Sequence, residues 1–386
     1  MYTPMNSKHF TKHVDASGAH YWVLSTRVAP IQQGFYFVNS GYSDDGRYLW
    51  FYCAFPPAEG HCAGVVDFLT DEVRYFPETR GSGWMVDERT GDLYWACTEG
   101  IYVRSPHPQD KARKIADLPK AARIAKPSEA GTHLTFTPDH QEILTDIQTA
   151  QGSFIGTFRI QDGSYTLWYR TQRGTPYNHA QICPTNGDLC MCAHEYSYNS
   201  LTGQNDPPPL TEDGIYPRLQ LIHRDGQREM RIPYANSATH EWWNTNGSAI
   251  YYCSSNSIVR DRLGEHTAEV VCHIPIEGGN GTWHAHCTKD EKYFVVDGSY
   301  PYEDLSWWRG CPSVVRFWND TSKRLIPVLT CNPVVEGWTP EHPSIYHIDP
   351  HPRFVLDDRL VTFTTTVCGR VDLAVAETAE LIELSK

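Results

Sequence analysis

The chain has 386 residues, with 46 Asp and Glu against 33 Lys and Arg, and a formal net charge of −13 at pH 7. That balance argues against nucleic acid and anionic membranes as partners, and it disfavours an anionic ligand unless basic groups are gathered locally. With 12 % aromatic residues, 26 Pro and 28 Gly, the composition suits strands and turns rather than a helical-repeat solenoid.

One unit recurs along the chain: an apolar run, a polar turn carrying Asp or Asn, and a second apolar run. It begins as Tyr42-Ser-Asp-Asp-Gly-Arg-Tyr-Leu-Trp-Phe-Tyr, then Val86-Asp-Glu-Arg-Thr-Gly-Asp-Leu-Tyr-Trp and Phe136-Thr-Pro-Asp-His-Gln-Glu-Ile-Leu. It returns as Ile182-Cys-Pro-Thr-Asn-Gly-Asp-Leu-Cys-Met, Trp242-Trp-Asn-Thr-Asn-Gly-Ser-Ala-Ile-Tyr-Tyr, His286-Cys-Thr-Lys-Asp-Glu-Lys-Tyr-Phe-Val-Val and Phe354-Val-Leu-Asp-Asp-Arg-Leu-Val-Thr-Phe. A period of roughly 45 built from short apolar runs predicts a β-propeller, with one four-stranded sheet per blade. Each first run would be an innermost strand and each second run its hairpin partner. Gln161-Asp-Gly163 and Arg224-Asp-Gly226 supply turns for outer hairpins.

The fold expected is therefore all-β, a seven-bladed β-propeller occupying residues 1–386 as a single domain. The last unit lacks a fourth strand, and Tyr21-Trp-Val-Leu-Ser-Thr-Arg-Val can supply it. Pairing N- and C-terminal strands in one blade would remove exposed sheet edges. The stretch Asn199–Gly214, with Asp206-Pro-Pro-Pro209, reads as a loop over a face. No secretory apolar region and no membrane-spanning run is found. Cys53, Cys97, Cys190, Cys192 and Cys253 fall in strands as small buried hydrophobes, so a cytoplasmic location with reduced thiols is expected.

Five histidines share one level of the repeat. His133, His240, His284 and His351 lie six residues before the turn residue, and His179 lies seven before it. In a propeller the inner strands converge on a central channel, so these imidazoles can meet although no local motif joins them. His133 also fits the polar end of an ordinary strand. His286 follows His284 by two residues, and His347, Asp349 and His351 repeat that spacing, which puts each set on one side of a regular strand. Imidazoles with a carboxylate from adjacent blades suit a divalent transition metal. His240, in Thr239-His-Glu-Trp-Trp243, has no such partner spacing; it is a candidate general base, a further metal ligand or a plain strand residue. Tyr196 and Tyr216 are the alternatives as base. Trp242, Trp243 and Trp283 read as core or as sugar-stacking surfaces, and inner strands of alternating direction favour core.

Several of these runs resemble oligogalacturonate lyase, a cytoplasmic seven-bladed propeller family of pectin breakdown. They are Cys192-Ala-His-Glu-Tyr, Pro217-Arg-Leu-Gln-Leu-Ile-His-Arg-Asp-Gly226, Thr239-His-Glu-Trp-Trp-Asn-Thr-Asn-Gly-Ser-Ala-Ile-Tyr-Tyr252, and the segments around His284 to Gly298 and Pro350-His-Pro-Arg-Phe354. The resemblance implies manganese-assisted β-elimination of α-1,4-linked galacturonate oligomers. It matches His240 to the catalytic base, Arg218 to the arginine of the substrate carboxylate or transition state, and His284 and His351 to metal histidines. His347 or Asp349 would add a ligand, and His179, His194 and Arg218 would contact substrate. Two departures stand out. Asp349 replaces the first histidine of the family's Gln-x-x-His-Pro-His-Pro, with Tyr346 in place of Gln and His347 alongside. Gln33-Gly-Phe replaces an early His-Arg-Asn run.

Histidine base, arginine and metal suffice for uronate elimination: cations on the carboxylate acidify the adjacent C5 proton, and a neutral imidazole removes it. They do not specify which uronate-containing glycan is cleaved. A propeller scaffold binding sugar or protein without turnover is the reading from another class.

Overall fold

The computed structural model describes residues 3–173, 175–195, 198–199, 204–205, 210–254, 256–265, 267–274, 281–299, 312–338 and 345–386. Seven antiparallel blades follow one another along these residues, as the repeat predicts. The inner strands of blades 1 to 7 are Ile31–Gln33, the second half of Glu72–Asp87, Thr135–Phe136, Tyr177–Cys183, Thr239–Trp243, Ala285–Cys287 and Arg353–Val355. The strand Glu72–Asp87 pairs first with blade 1 and then with blade 2, joining the two.

Blade 7 combines both ends of the chain. His20–Leu24 pairs with Asp372–Glu377 in the register Tyr21↔Ala376, Trp22↔Val375 and Val23↔Ala374. The sequence reading missed a fifth strand, Phe10–Val14, which covers the outer edge of that blade through Phe10↔Leu24 to Val14↔His20.

The recurring Asp or Asn has a physical reason. Asp45, Asp139, Asn186, Asn246 and Asp290 each accept, through Oδ1, the backbone N–H two residues on. These Asx turns favour the tight link between inner strand and hairpin partner. The outer hairpins turn at 161–163 and 224–226 as expected, joining Gly152–Arg159 to Tyr165–Arg170 and Leu219–His223 to Arg228–Met230.

The core lies between blades. Leu49 and Phe51 pack with Leu24, Leu373 and Val375, while Val295 and Phe317 pack with Phe354, Phe363 and Ala374. Each such buried side chain contributes about 1.5–3 kcal/mol. Trp242 and Trp243 are core residues, as read, and their indole N–H groups donate to Cys287 Sγ (3.4 Å) and to the Gln181 carbonyl (3.1 Å).

The five named strand cysteines lie in strands, and all but the half-buried Cys97 are buried. Half of the 199–214 loop, Asp206 to Pro209 included, falls outside the described residues, as does Tyr196. No helix of the described residues is long and apolar enough to cross a membrane.

The segment Gly34–Asn39 crosses from blade 1 to the far side of the channel. The Gly34 N–H donates to Thr364 Oγ1 of blade 7, and Phe37, fully buried, packs among residues of blades 5 and 6. Phe37 O accepts from Arg353 at 2.6 Å. The segment fills the channel and leaves a separate cavity on each side, lined by Tyr36 on one and Val38 on the other.

Candidate active site

The inner strands of blades 4 and 5 are broken at one shared level. Pairing passes from Asn178↔Ala193 to Gln181↔Met191 and from Thr239↔Cys253 to Trp242↔Tyr251. The residues left out of register are His179 with Ala180, and His240 with Glu241. His179 and His240 take left-handed backbone conformations, with φ of 52° and 54°. Blade 2 breaks likewise, at Gly83 and Trp84, where Gly83 has φ 61°. Bulges re-aim side chains, and such strained conformations concentrate at functional sites. His347 and His351 are left-handed as well, at 49° and 47°.

These devices bring His133, His179, His240, His284, His347, Asp349 and His351 to one cavity of about 570 Å³. Tyr36 stands among them. Its ring is stacked on His133 at 4.8 Å and lies 4.8 Å from His351, 5.6 Å from His284, 5.9 Å from His347 and 6.1 Å from His179. His133 is thus part of the cluster and not simply a strand end.

Ligand atoms of His284, His347, Asp349 and His351 all lie within 4.8 Å of one another. His347 Nε2 is 3.1 Å from Asp349 Oδ2. Behind them Asp297, fully buried, places both carboxylate oxygens 3.1 Å from His284 Nδ1 and accepts the backbone N–H groups of His284 (2.7 Å) and His351 (2.9 Å). A carboxylate behind a histidine fixes its ring and raises its basicity, as around metal ligands generally. Three imidazoles and one carboxylate fit a divalent ion.

His240 is 4.1 Å from the His284 ring. Burial pushes its pKa well below the ordinary value, and the charges of His284 and Arg218 push the same way. Its imidazole is neutral at cellular pH and able to accept a proton.

Arg218 departs from expectation. It does not line the cavity; it is 4 % exposed and ion-paired with Glu195 and with Glu241, whose Oε2 lies 3.3 Å from it. The other oxygen of Glu241 faces His179 Nδ1 at 3.5 Å. Burial works against ionisation of Glu241, but Arg218 and His179 outweigh it and hold the carboxyl well below the usual range. Burial likewise opposes charge on His179, and the bond and charge of Glu241 reverse that, raising its pKa. Arg218 therefore acts on the cavity through Glu241 and His179.

His194 also misses the cavity, its ring lying 5.1 Å from that of Tyr177, so the substrate contact expected of it is not supported by its place. Regular alternation fails at His286 too: His284 precedes the strand Ala285–Cys287, and His286 opens onto the cavity on the other side of the channel segment, with Arg353. Tyr216 donates its hydroxyl to the His194 carbonyl at 2.6 Å and does not line the site. Sequence reasoning missed Tyr36, Glu129, Asp146 and Asp297. The last pair had a signal, since each lies seven residues past its turn Asp, at 139 and 290. Tyr36 and Glu129 had none.

No protein-family profile matches the sequence, and no curated protein matches it. Among solved structures, an oligogalacturonate lyase in complex with manganese is similar over 95 % of this chain and 96 % of its own, with a TM-score of 0.72 and 18 % identity. An oligogalacturonate lyase from Vibrio parahaemolyticus gives 0.71 and 16 % over the same shares. The Cps50 propeller domain of Myceliophteria thermophila gives 0.54 at 8 % identity over 92 % of this chain and 98 % of its own. At these identities the likeness establishes a common fold, and the resemblance read from the sequence holds at that level.

Proposed function

We propose that this chain, working as one propeller domain, is a metal-dependent lyase that cleaves short uronate oligomers of the oligogalacturonate kind by β-elimination. The observation that carries this reading is a half-buried imidazole held neutral, His240, 4.1 Å from the His284 ring of a three-histidine, one-aspartate donor set in the same cavity. The solved lyases of the same fold, one of them with manganese, support it. Eleven cysteines without a disulfide among the described residues suit a reducing compartment, and we place the enzyme in the cytoplasm.

His284, His347, Asp349 and His351 would hold the ion, most suitably manganese. Bound there, it would draw negative charge from the uronate carboxylate and so acidify the C5 hydrogen. His179, whose pKa the bond and charge of Glu241 raise, adds positive charge on the flank next to His240. His240 takes the C5 proton, and loss of O4 leaves a 4,5-unsaturated uronate. The departures from the family's motifs at Asp349 and Gln33 leave one second reading within the same chemistry, a lyase of this type acting on a different uronate-containing glycan. A scaffold would need neither the donor set nor the bulged histidines. The test is to compare wild type with His240→Ala on a panel of uronate oligomers, following the ultraviolet absorbance of the conjugated product. Wild-type activity on at least one oligomer, lost in the variant, supports the reading; equal activity in both refutes the base.

A further inference from the structure

In galacturonate the C5 hydrogen and O4 project from opposite faces of the pyranose ring. The group that removes the hydrogen cannot then return a proton to the departing oxygen, and a sugar alkoxide is a poor leaving group without one. A second proton-carrying group on another flank of the cavity is required. His240 and the donor set come from blades 5 to 7, which leaves the flank built by blades 1 to 3.

We propose that Glu129, on that flank, is the general acid that protonates the leaving oxygen; the inference rests on the lyase reading above. Glu129 belongs to the strand Pro127–Ala130, which pairs with blade 3 through Glu129↔Gln148, and its side chain lines the same cavity as His240. Burial pushes its carboxyl up to about 7, the neighbouring Asp146 adds to the rise, and His179 opposes it. Asp146 comes from the adjacent strand Glu142–Thr149 and His179 from the inner strand of blade 4. Asp146 is itself fixed, accepting from the Thr132 N–H and hydroxyl and from the Ala180 N–H. Its own carboxyl is raised to about 6 by burial, so two adjoining carboxyls cannot both ionise cheaply. Two other proton-bearing groups of this flank suit the task less well. Burial raises the Tyr52 phenol, and it pushes His133 well below its ordinary value, leaving that ring neutral. A carboxyl protonated near neutrality is matched to a general acid at cellular pH.

The step balances. The C5–H bond breaks and its proton passes to His240; the C–H pair becomes the C4–C5 double bond. The C4–O4 bond breaks with its pair going to O4, which takes the Glu129 proton and departs as a hydroxyl. Glu129 is left as a carboxylate and His240 as an imidazolium, and exchange with solvent resets both.

The test uses the full-length protein with manganese, the variant Glu129→Gln, and two substrates: a galacturonate oligomer and a 4-deoxy-4-fluoro-galacturonide, whose fluoride leaves without a proton. The inference predicts a fall in kcat of about 10²–10⁴ on the oligomer, with KM little changed. The wild-type kcat should fall as pH rises through about 7, the value of the Glu129 carboxyl, and the variant should lack that limb. Elimination of fluoride should stay near the wild-type rate, which also shows that the variant is folded. Overturning results are an unimpaired kcat on the oligomer, a parallel loss on both substrates, or a lower KM at unchanged kcat, the mark of a carboxylate that merely repels substrate. A wild type that forms no unsaturated product from either substrate or from any oligomer of the uronate panel overturns the lyase reading and this inference together. An active wild type beside an unimpaired variant overturns the inference alone.

Discussion

Truncating Arg218 should destabilise the protein as well as slow it. In Arg218→Ala, Glu241, fully buried, loses the guanidinium 3.3 Å from its Oε2 and keeps His179 at 3.5 Å from Oε1. Removing one partner of a buried ion pair costs about 3–5 kcal/mol, and because His179 still faces Glu241 the lower figure applies. Unfolding entropy of roughly 2.1 cal/mol/K per residue amounts to about 0.8 kcal/mol/K over this chain, so the midpoint should fall by about 4 °C at neutral pH. The pH dependence has a definite sign. Glu241 is held below the usual carboxylate range in the wild type, so its contribution is present above the unfolded value of about 4.3 and is lost as pH falls through the lower folded value. The variant's deficit should therefore be largest near neutrality and shrink below about pH 4. Adding Glu241→Gln to Arg218→Ala removes the stranded charge and should recover part of the loss, a coupling that a double-mutant cycle reads directly. Calorimetry across pH on the four proteins is the assay. An Arg218→Ala protein that melts with the wild type at neutral pH, or a deficit that grows in acid, would refute the buried-pair argument.

His240→Ala should lower turnover by about 10²–10⁴ while its melting temperature stays near the wild-type value, checked by steady-state kinetics beside calorimetry. Arg218→Lys should recover only part of the activity lost in Arg218→Ala, because an ammonium cannot span Glu195 and Glu241 as the guanidinium does; kcat of the two variants decides it. Asp297→Asn should weaken manganese binding by about 10–100-fold, measured by calorimetric titration, since the carboxylate that orients His284 is gone. Exhaustive chelation should abolish turnover and added manganese restore it better than zinc, whereas activity surviving chelation would count against the donor set.

Blade number, the turn residues and ring closure were legible because each repeats or terminates a period that the sequence displays openly. The donor set was legible for the same reason: His284 and His351 share a place in the repeat, and His347 and Asp349 lie beside the second. Direction was not. A two-residue spacing assumes regular strands, and the bulges at His179 and His240 and the late start of the strand after His284 break that assumption. Glu195 and Glu241 converge on Arg218 from two blades, a pairing with no trace in local sequence. Tyr36 reaches the cluster because its segment leaves the blade and fills the channel, which no apolar pattern announces.

The central claim is the bond-breaking chemistry, and the mass balance of the products tests it most directly. Purified wild type, loaded with manganese, would be incubated with uronate oligomers in water enriched in heavy oxygen and the products weighed. Elimination predicts products whose masses sum to that of the substrate, with an unsaturated end and no heavy oxygen in either fragment's new terminus beyond slow exchange at the reducing end. Fragments that together gain one water, or intact oligomers throughout the panel, would contradict the account.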